Sequence, residues 1–175
     1  MVSGLKLFDL NGKTALITGS SQGIGYALAK GLADAGSDII LNGRNTEKLK
    51  QSAEAINTKQ NIFQLCFDVT NYEQTKRSID KFEKEISPID ILINNAGMQF
   101  RTALEDFPRD KFEELLKTNV SSVFNVSQVV AKYMIKRGEG KIINIASVQT
   151  SLARPGIAPY TATKGAVGNL SLIHI

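Results

Sequence analysis

The sequence is short of the residues that build disulfide frameworks, histidine metal sites and membrane spans. Among 175 residues there is one cysteine, Cys66, so no intrachain disulfide can form, and one histidine, His174. This argues against a metal site of the usual histidine type and against a Ser-His-Asp triad. No apolar run approaches the roughly 18 residues of a spanning helix, and the N-terminus MVSGLKLFDLNGK lacks a signal-peptide apolar core. These absences predict a cytoplasmic protein without a membrane partner.

Charge of one sign is not concentrated anywhere along the chain. The net charge is +4, but the 21 Lys and Arg residues are scattered beside Glu or Asp, as in DKFEKE. This pattern is typical of solvated helix faces rather than of a nucleic-acid-binding stripe. Cys66 lies in the apolar run NIFQLCF, which predicts a buried small hydrophobe rather than a nucleophile.

Apolar runs alternate with amphipathic stretches along the chain. The runs predict strands at 13–18, 38–42, 62–68, 89–95 and 140–147. The amphipathic stretches predict helices at 23–36, 46–57 and 71–86, and either two helices or one broken helix within 107–138. In the first helix Ile24, Leu28 and Leu32 recur at helical spacing, and Thr46 and Asn71 are expected to cap the next two.

This alternation predicts an α/β protein with a doubly wound parallel sheet covered by helices on both faces, in three layers. No linker or repeat interrupts the pattern, so one domain is expected. In such sheets ligands bind beyond the carboxyl ends of the strands. The residues that follow each strand are therefore the candidates for function.

The loop TGSSQGIG follows the first strand and opens the first helix, with glycines at Gly19, Gly23 and Gly25. Glycines permit a sharp turn and the close approach of a pyrophosphate to the helix N-terminus, where free N–H groups favour negative charge. The alternative is an ordinary tight turn with a close helix–strand contact. The strand–turn–helix context favours a dinucleotide site.

The spacing T-G-x-x-x-G-x-G resembles the short-chain dehydrogenase/reductase family, and further matches occur in order. FDV places Asp68 at the family's adenine-contacting acid, and NNAG at 94–97 resembles its loop after the fourth strand. The resemblance covers residues 8 to 169 and implies a Rossmann-type fold. It also implies a catalytic tetrad at Asn119, Ser147, Tyr160 and Lys164. The further cofactor contacts that it implies are Ser21, Ile24, Val69, Asn95, Ala96 and Gly97.

The end of the second strand, ILNGRN, bears on the choice of cofactor. Gly43 stands where an acid would hold the ribose 2′-hydroxyl of NAD, and Arg44 follows it. An arginine can pair with a 2′-phosphate, so we predict that NADP(H) is preferred, with NAD(H) as the alternative. Arg44 could instead point only into solvent.

The tetrad predicts a chemistry of carbonyl reduction. Tyr160 can protonate the developing alkoxide, and Lys164, four residues on, would share its helix face and favour its phenolate form. Ser147, expected to end the fifth strand, would hydrogen-bond the substrate oxygen. The resemblance implies that Asn119 positions a water that relays protons to Lys164, and that Lys164 also bonds the nicotinamide ribose.

Arg101 and Arg154 flank the expected reaction site and suggest an acidic substrate, although either could be a surface residue. The resemblance extends to sugar-acid reductases of the family. It implies NADP-dependent interconversion of 5-dehydro-D-gluconate and D-gluconate in a homotetramer. The alternatives are 3-oxoacyl-(acyl carrier protein) reduction, another sugar or polyol dehydrogenase, or an inactive nucleotide-binding fragment.

The last six residues, LSLIHI, equal an in-frame translation of the transposon-end sequencing adaptor CTGTCTCTTATACACATC. We therefore expect residues 170–175, including His174, to be non-native and residues 1–169 to be an incomplete domain. Family members continue past the lysine. The chain as given is then expected to be poorly soluble and to have little reductase activity, since its fifth strand would form an apolar sheet edge.

Overall fold

The computed structural model describes residues 7–152 and 154–172. Five parallel strands form one sheet in this part of the chain: β1 Thr14–Ile17, β2 Asp38–Gly43, β3 Ile62–Cys66, β4 Ile91–Asn94 and β5 Lys141–Asn144. Their order is β3-β2-β1-β4-β5. The reversal of strand order at β1 makes the sheet doubly wound, as the sequence predicts.

Within the described residues, six α-helices accompany the sheet: α1 Gly23–Asp34, α2 Thr46–Ala55, α3 Tyr72–Glu85, α4 Arg109–Leu116, α5 Ser122–Arg137 and α6 Ala158–Leu170. A π-helical turn, Lys117–Ser121, joins α4 to α5 without an intervening loop. The stretch 107–138 is therefore one broken helix. In the ranges that the structure describes, every helix is too short or too polar to cross a membrane.

Apolar clusters lie on both faces of the sheet. On one face Leu16 and Leu92 pack with residues of α3 and α5, and on the other Ala15 and Ile17 pack with residues of α1 and α2. A strand that is covered on both faces needs apolar residues at every position rather than at alternate ones. This explains the near-continuous apolar runs, and the predicted three-layer arrangement is confirmed.

The element ends differ from the predictions in two respects. The cap of α2 is Asn45, whose side chain accepts from Lys48 N at 2.9 Å, and Thr46 is the first helical residue. The predicted cap Asn71 is confirmed. The strand β5 ends at Asn144, so Ser147 lies in the loop beyond it.

The core-facing side of α1 is composed of small residues. Gly25, Ala29 and Ala33 are buried, whereas Ile24 is 68% exposed at the start of the helix. The apolar spacing therefore predicted the helix correctly, and Leu28 and Leu32 are partly buried against the core, although Ile24 is not. Small side chains let α1 approach the sheet closely, which brings its N-terminus near the strand ends.

The prediction that Cys66 is buried is wrong. Cys66 is exposed, as is Gln64 two residues earlier. Side chains alternate between the two faces of a strand, and β3 is an edge strand of the described sheet. An apolar run in an edge strand can therefore still expose alternate residues.

The C-terminal end of the described chain is helical through Leu170. Ser171 Oγ follows and accepts from Asn144 Nδ2 at 2.9 Å, which ties this end to β5. Residues 173–175, and with them His174, lie outside the described residues.

An ion pair between an exposed arginine and a buried carboxylate joins α3 to the end of α5. Arg137 donates to Glu83 Oε2 at 2.7 Å and to the carbonyl oxygen of Ile89 at 2.8 Å. Glu83 Oε1 also accepts from Ile89 N at 3.1 Å. The Glu83 side chain is only 2% exposed, so its charge depends on these protein partners rather than on water.

We expect Arg137→Ala to lower the free energy of unfolding by about 3 kcal/mol, because it leaves the Glu83 carboxylate buried without its cation. Urea unfolding followed by circular dichroism measures this. Lys136→Ala, at the exposed neighbouring position, is the control and should change the value by less than about 0.5 kcal/mol. Equal effects of the two substitutions would contradict the prediction.

Candidate functional site

The predicted functional segments meet at one edge of the sheet. All strand pairs are parallel, so the residues that follow the five strands lie at the same, carboxyl end. These segments are the glycine loop after β1, Gly43 and Arg44 after β2, Asp68 and Val69 after β3, Asn95 to Gly97 after β4, and Ser147 after β5.

The glycine loop requires glycine at three positions. Gly19 and Gly23 have φ values of +63° and +62°, which lie in the left-handed region. At Gly25 an added Cβ would lie 2.5 Å from both Asn95 Nδ2 and Gly19 O. The side chain of the N-cap residue Gln22 accepts no hydrogen bond from the backbone N–H groups of α1. The first N–H groups of α1 can therefore bind an anion at this turn.

Hydrogen bonds lock the glycine loop to the loop after β4. Thr18 Oγ1 accepts from the backbone N–H groups of Asn95 and Ala96, both at 3.0 Å. Asn95 Nδ2 donates to Thr18 O at 3.0 Å and to Gly19 O at 3.1 Å. The side chain of Asn95 thus shapes the turn. Thr18 was not predicted from the sequence, although it directly precedes the glycine motif.

A second buried amide holds the ends of the first three strands together. Asn42 is 1% exposed, and its Oδ1 accepts from Gly19 N at 3.3 Å. Its Nδ2 donates to Leu65 O and Phe67 O at 3.0 and 3.2 Å, and its backbone N–H donates to Ser20 Oγ at 2.9 Å. Sequence reasoning missed Asn42 and Ser20. An asparagine within the otherwise apolar strand DIILNG is the signal that could have found Asn42.

The predicted adenosine-side residues surround the end of β2. A Cβ placed on Gly43 would lie 3.4 Å from Ser21 Oγ, so position 43 faces the glycine loop, and Arg44 beside it is exposed. Asp68 Oδ1 accepts from the backbone and the hydroxyl of Thr70, both at 2.8 Å. Val69 is buried in the core, so its side chain is a packing group.

Asn119 lies in the π-helical turn and is 1% exposed. Its Oδ1 accepts from Met98 N at 2.8 Å, and its Nδ2 donates to Met98 O at 2.9 Å and to Thr163 Oγ1 at 3.1 Å. Thr163 in turn donates to Tyr160 O at 2.7 Å. The break in the helix thus connects the loop after β4 with the helix that carries Tyr160. The sequence analysis did not predict a role for Thr163.

Tyr160 and Lys164 lie one turn apart on α6. Lys164 Nζ is 5.8 Å from the centroid of the Tyr160 ring and donates to Ile145 O at 2.7 Å. Lys164 is only 7% exposed, and this burial lowers the pKa of its ammonium group. A Cβ on Gly97 would lie 4.0 Å from Lys164 Nζ and 3.4 Å from Asn119 Oδ1. Gly97 thus leaves space beside both groups.

Ser147 caps a 3₁₀ turn, Val148–Thr150, rather than ending β5. Its Oγ accepts from Gln149 N at 3.2 Å. A hydroxyl that accepts from a backbone N–H keeps its own hydrogen for donation to another oxygen. Ser147 can therefore both shape the turn and donate to a ligand.

The two candidate substrate arginines lie on loops that touch each other. Arg101 and Arg154 are exposed, and Arg101 contacts Gln99 at 3.5 Å. Thr102 N donates to Gly156 O at 3.2 Å, which joins the loop of Arg101 to the loop of Arg154. The two arginines are therefore exposed cations on neighbouring loops.

Comparison with known proteins extends these observations. The family model for short chain dehydrogenase matches residues 13–172. The chain is 52% identical over 170 residues to gluconate 5-dehydrogenase of Gluconobacter oxydans and 42% identical over 167 residues to 5-keto-D-gluconate 5-reductase of Escherichia coli K12. Each match covers 94% of this chain but 65% of the relative's length.

The structural neighbours agree with the sequence relatives. A crystal structure of a gluconate 5-dehydrogenase from Burkholderia cenocepacia in complex with NADP and tartrate superposes with a TM-score of 0.92 at 50% identity. The match covers 96% of this chain and 66% of that one. The resemblance inferred from the motifs is thereby confirmed, and the chain belongs to the short-chain dehydrogenase family.

Proposed function

We propose that the complete protein is an NADP(H)-dependent oxidoreductase that interconverts 5-dehydro-D-gluconate and D-gluconate. The observation that carries the proposal is the placement of Tyr160 and the buried Lys164 on one helix, which the hydrogen bonds of Asn119 join to the loop after β4. The similarity to the Gluconobacter enzyme, which spans the whole of this site, supports the substrate.

The glycine loop fits a dinucleotide. A side chain at position 25 would collide with Asn95 and Gly19, and the N-terminus of α1 has no side-chain cap. Gly19, Ser21, Gly23, Ile24 and Gly25 would hold the pyrophosphate, while Asp68, Val69 and Asn95 to Gly97 would border the adenosine and the nicotinamide ribose. The bound nicotinamide supplies hydride in reduction and accepts it in oxidation.

The proton chemistry belongs to the chain's own side chains. In reduction Tyr160 donates its phenolic proton to the substrate oxygen as hydride reaches the carbonyl carbon, and in oxidation it takes that proton back. Ser147 donates a hydrogen bond to the same oxygen. A protonated Lys164 favours the tyrosinate left behind, and Asn119 holds the adjacent loop from which a water could return the proton.

The cofactor preference is proposed from the end of β2. Position 43 faces the glycine loop but carries no acid to hold a ribose 2′-hydroxyl, and the neighbouring Arg44 is exposed. An exposed guanidinium at this place can pair with a 2′-phosphate. The Burkholderia neighbour, which was crystallised with NADP, supports this preference.

A sugar acid is supported by Arg101 and Arg154, two exposed cations on joined loops, which we propose hold a carboxylate. The tartrate bound to the Burkholderia protein is itself a hydroxy acid.

We further propose a cytoplasmic homotetramer for the complete protein. We also propose that residues 170–175 are non-native and that a polypeptide of these 175 residues is inactive. Ile143, 48% exposed on the edge strand β5, supports its predicted poor solubility.

Tyr160→Phe in the complete gene product should lower kcat for ketone reduction roughly 10²- to 10⁴-fold, because the proton donor is lost. Stopped-flow or steady-state NADPH oxidation measures this. Tyr133→Phe is the matched control, since its hydroxyl donates to Asp80 at 2.9 Å between α5 and α3. Its kcat should stay within about twofold. Full activity of the Tyr160→Phe variant would refute the mechanism.

Arg44→Ala should weaken NADPH binding about 10- to 100-fold through loss of a charged hydrogen-bonded pair, with NADH binding unchanged. Fluorescence titration with the two nucleotides measures both dissociation constants. Lys50→Ala, an exposed cation on α2, is the control for general charge effects. An equal loss for NADPH and NADH would show that Arg44 does not select the 2′-phosphate.

The substrate proposal predicts that 5-ketogluconate has a higher kcat/KM than a short 3-oxoacyl thioester. Arg101→Leu should raise KM for the keto acid about 10-fold or more, because the carboxylate loses its cation. Arg77→Leu on the exposed side of α3 should leave KM unchanged.

Faster turnover of the thioester would favour 3-oxoacyl reduction instead. A protein that binds NADPH and reduces none of a panel of 2-, 3- and 5-keto acids would favour a non-catalytic nucleotide-binding role.

A further inference from the structure

The 3₁₀ turn that follows β5 is tied to α6 by the single hydroxyl of Thr150. Thr150 Oγ1 accepts from Ser147 N at 3.4 Å and donates to the carbonyl oxygen of Lys164 at 3.2 Å. The hydroxyl oxygen of Thr150 thus joins the backbone of Ser147 to the backbone of Lys164. No motif in the sequence points to this residue.

Lys164 holds the same segment a second time. Its Nζ donates to Ile145 O at 2.7 Å, two residues before Ser147, while its own carbonyl oxygen accepts from Thr150, three residues after Ser147. Ser147 therefore lies between two anchors that both end on Lys164. Such a double attachment fixes the distance between the serine and α6 more firmly than either bond could alone.

The methyl group of Thr150 adds a packing contact to the hydrogen bonds. A Cβ built on Gly168 would lie 2.5 Å from Thr150 Cγ2, so the methyl group occupies the space that the missing side chain of Gly168 leaves on α6. A β-branched side chain has few χ1 rotamers, and contact with α6 restricts it further. The hydroxyl is thus held toward Ser147 and Lys164.

We propose that Thr150 is a positioning residue that sets the placement of the Ser147 hydroxyl relative to Tyr160 and Lys164. Gln149 N donates to Ser147 Oγ, so the serine keeps its own hydrogen for donation to the substrate oxygen. Tyr160 must protonate that same oxygen, and an error of about 1 Å between catalytic groups can cost about 10²-fold in rate. This inference rests on the proposed carbonyl reduction.

The test is a double-mutant cycle in the complete gene product, with 5-ketogluconate and NADPH. Thr150→Val keeps the branched shape and removes the hydroxyl, and should lower kcat roughly 10- to 100-fold with the NADPH dissociation constant unchanged within twofold. In a Ser147→Ala background the same substitution should cost less than about threefold, because no serine hydroxyl is left to position. Thr150→Ser, which retains the hydroxyl, should recover most of the activity.

The matched control is Thr75→Val on α3. Thr75 is fully buried, and within the described residues its Oγ1 has no hydrogen-bond partner. The same isosteric change there should leave kcat unaltered. Equal losses from Thr150→Val in both backgrounds, or a parallel loss of NADPH affinity or folding, would overturn the proposal, since Thr150 would then support the fold in general.

The failure of the two proposals can be told apart. If Ser147→Ala alone leaves kcat unchanged, the proposed carbonyl chemistry is wrong, and the role of Thr150 is wrong with it. If Ser147→Ala lowers kcat sharply while Thr150→Val does not, only the positioning role is wrong.

Discussion

The hydrogen bond from Lys164 Nζ to the carbonyl oxygen of Ile145 is the contact on which the arrangement of the site depends. An ammonium group that is 7% exposed has lost most of its water, and burial lowers its pKa. The carbonyl oxygen, at 2.7 Å, replaces part of that hydration. Because Ile145 directly follows β5, the bond attaches α6 to the carboxyl edge of the sheet. Tyr160, one turn earlier on α6, is thereby brought to the same edge as the glycine loop.

In the other loops at this edge, buried polar groups also need hydrogen-bond partners from the protein. Backbone groups that leave a parallel sheet lose their ladder partners, and buried ones need replacements. Thr18, Asn42 and Asn95 supply these replacements from their side chains. Their polar atoms are consumed in shaping the loops. The start of α1 has no side-chain cap, and the hydroxyl of Ser147 keeps its hydrogen for donation. Thr18 and Asn42 therefore only shape the site, whereas Asn95 and Ser147 shape their loops and are also proposed to contact a ligand.

The fold and the main motifs were predictable because they depend on local or periodic properties. Continuous apolar runs identified the buried parallel strands, and glycines at required backbone angles identified the loop after β1. Ends and faces were less predictable. Ile24 follows the helical period yet is exposed, and Cys66 is exposed because β3 is an edge strand. Periodicity shows that a helix or strand exists, but the neighbours decide which side of it is covered.

By itself the sequence determined the α/β class, the glycine turn, and the spacing that places Tyr160 and Lys164 on one helix face. Only the tertiary structure decided which polar groups meet. Asn42 and Thr150 belong to no recognisable motif, yet each joins two separate elements, through bonds to Leu65 and to Lys164. Which partner each side chain finds depends on how the elements pack, and this is not readable from the local sequence. The partners come together because parallel strands bring successive loops to one edge, where buried polar atoms must find each other.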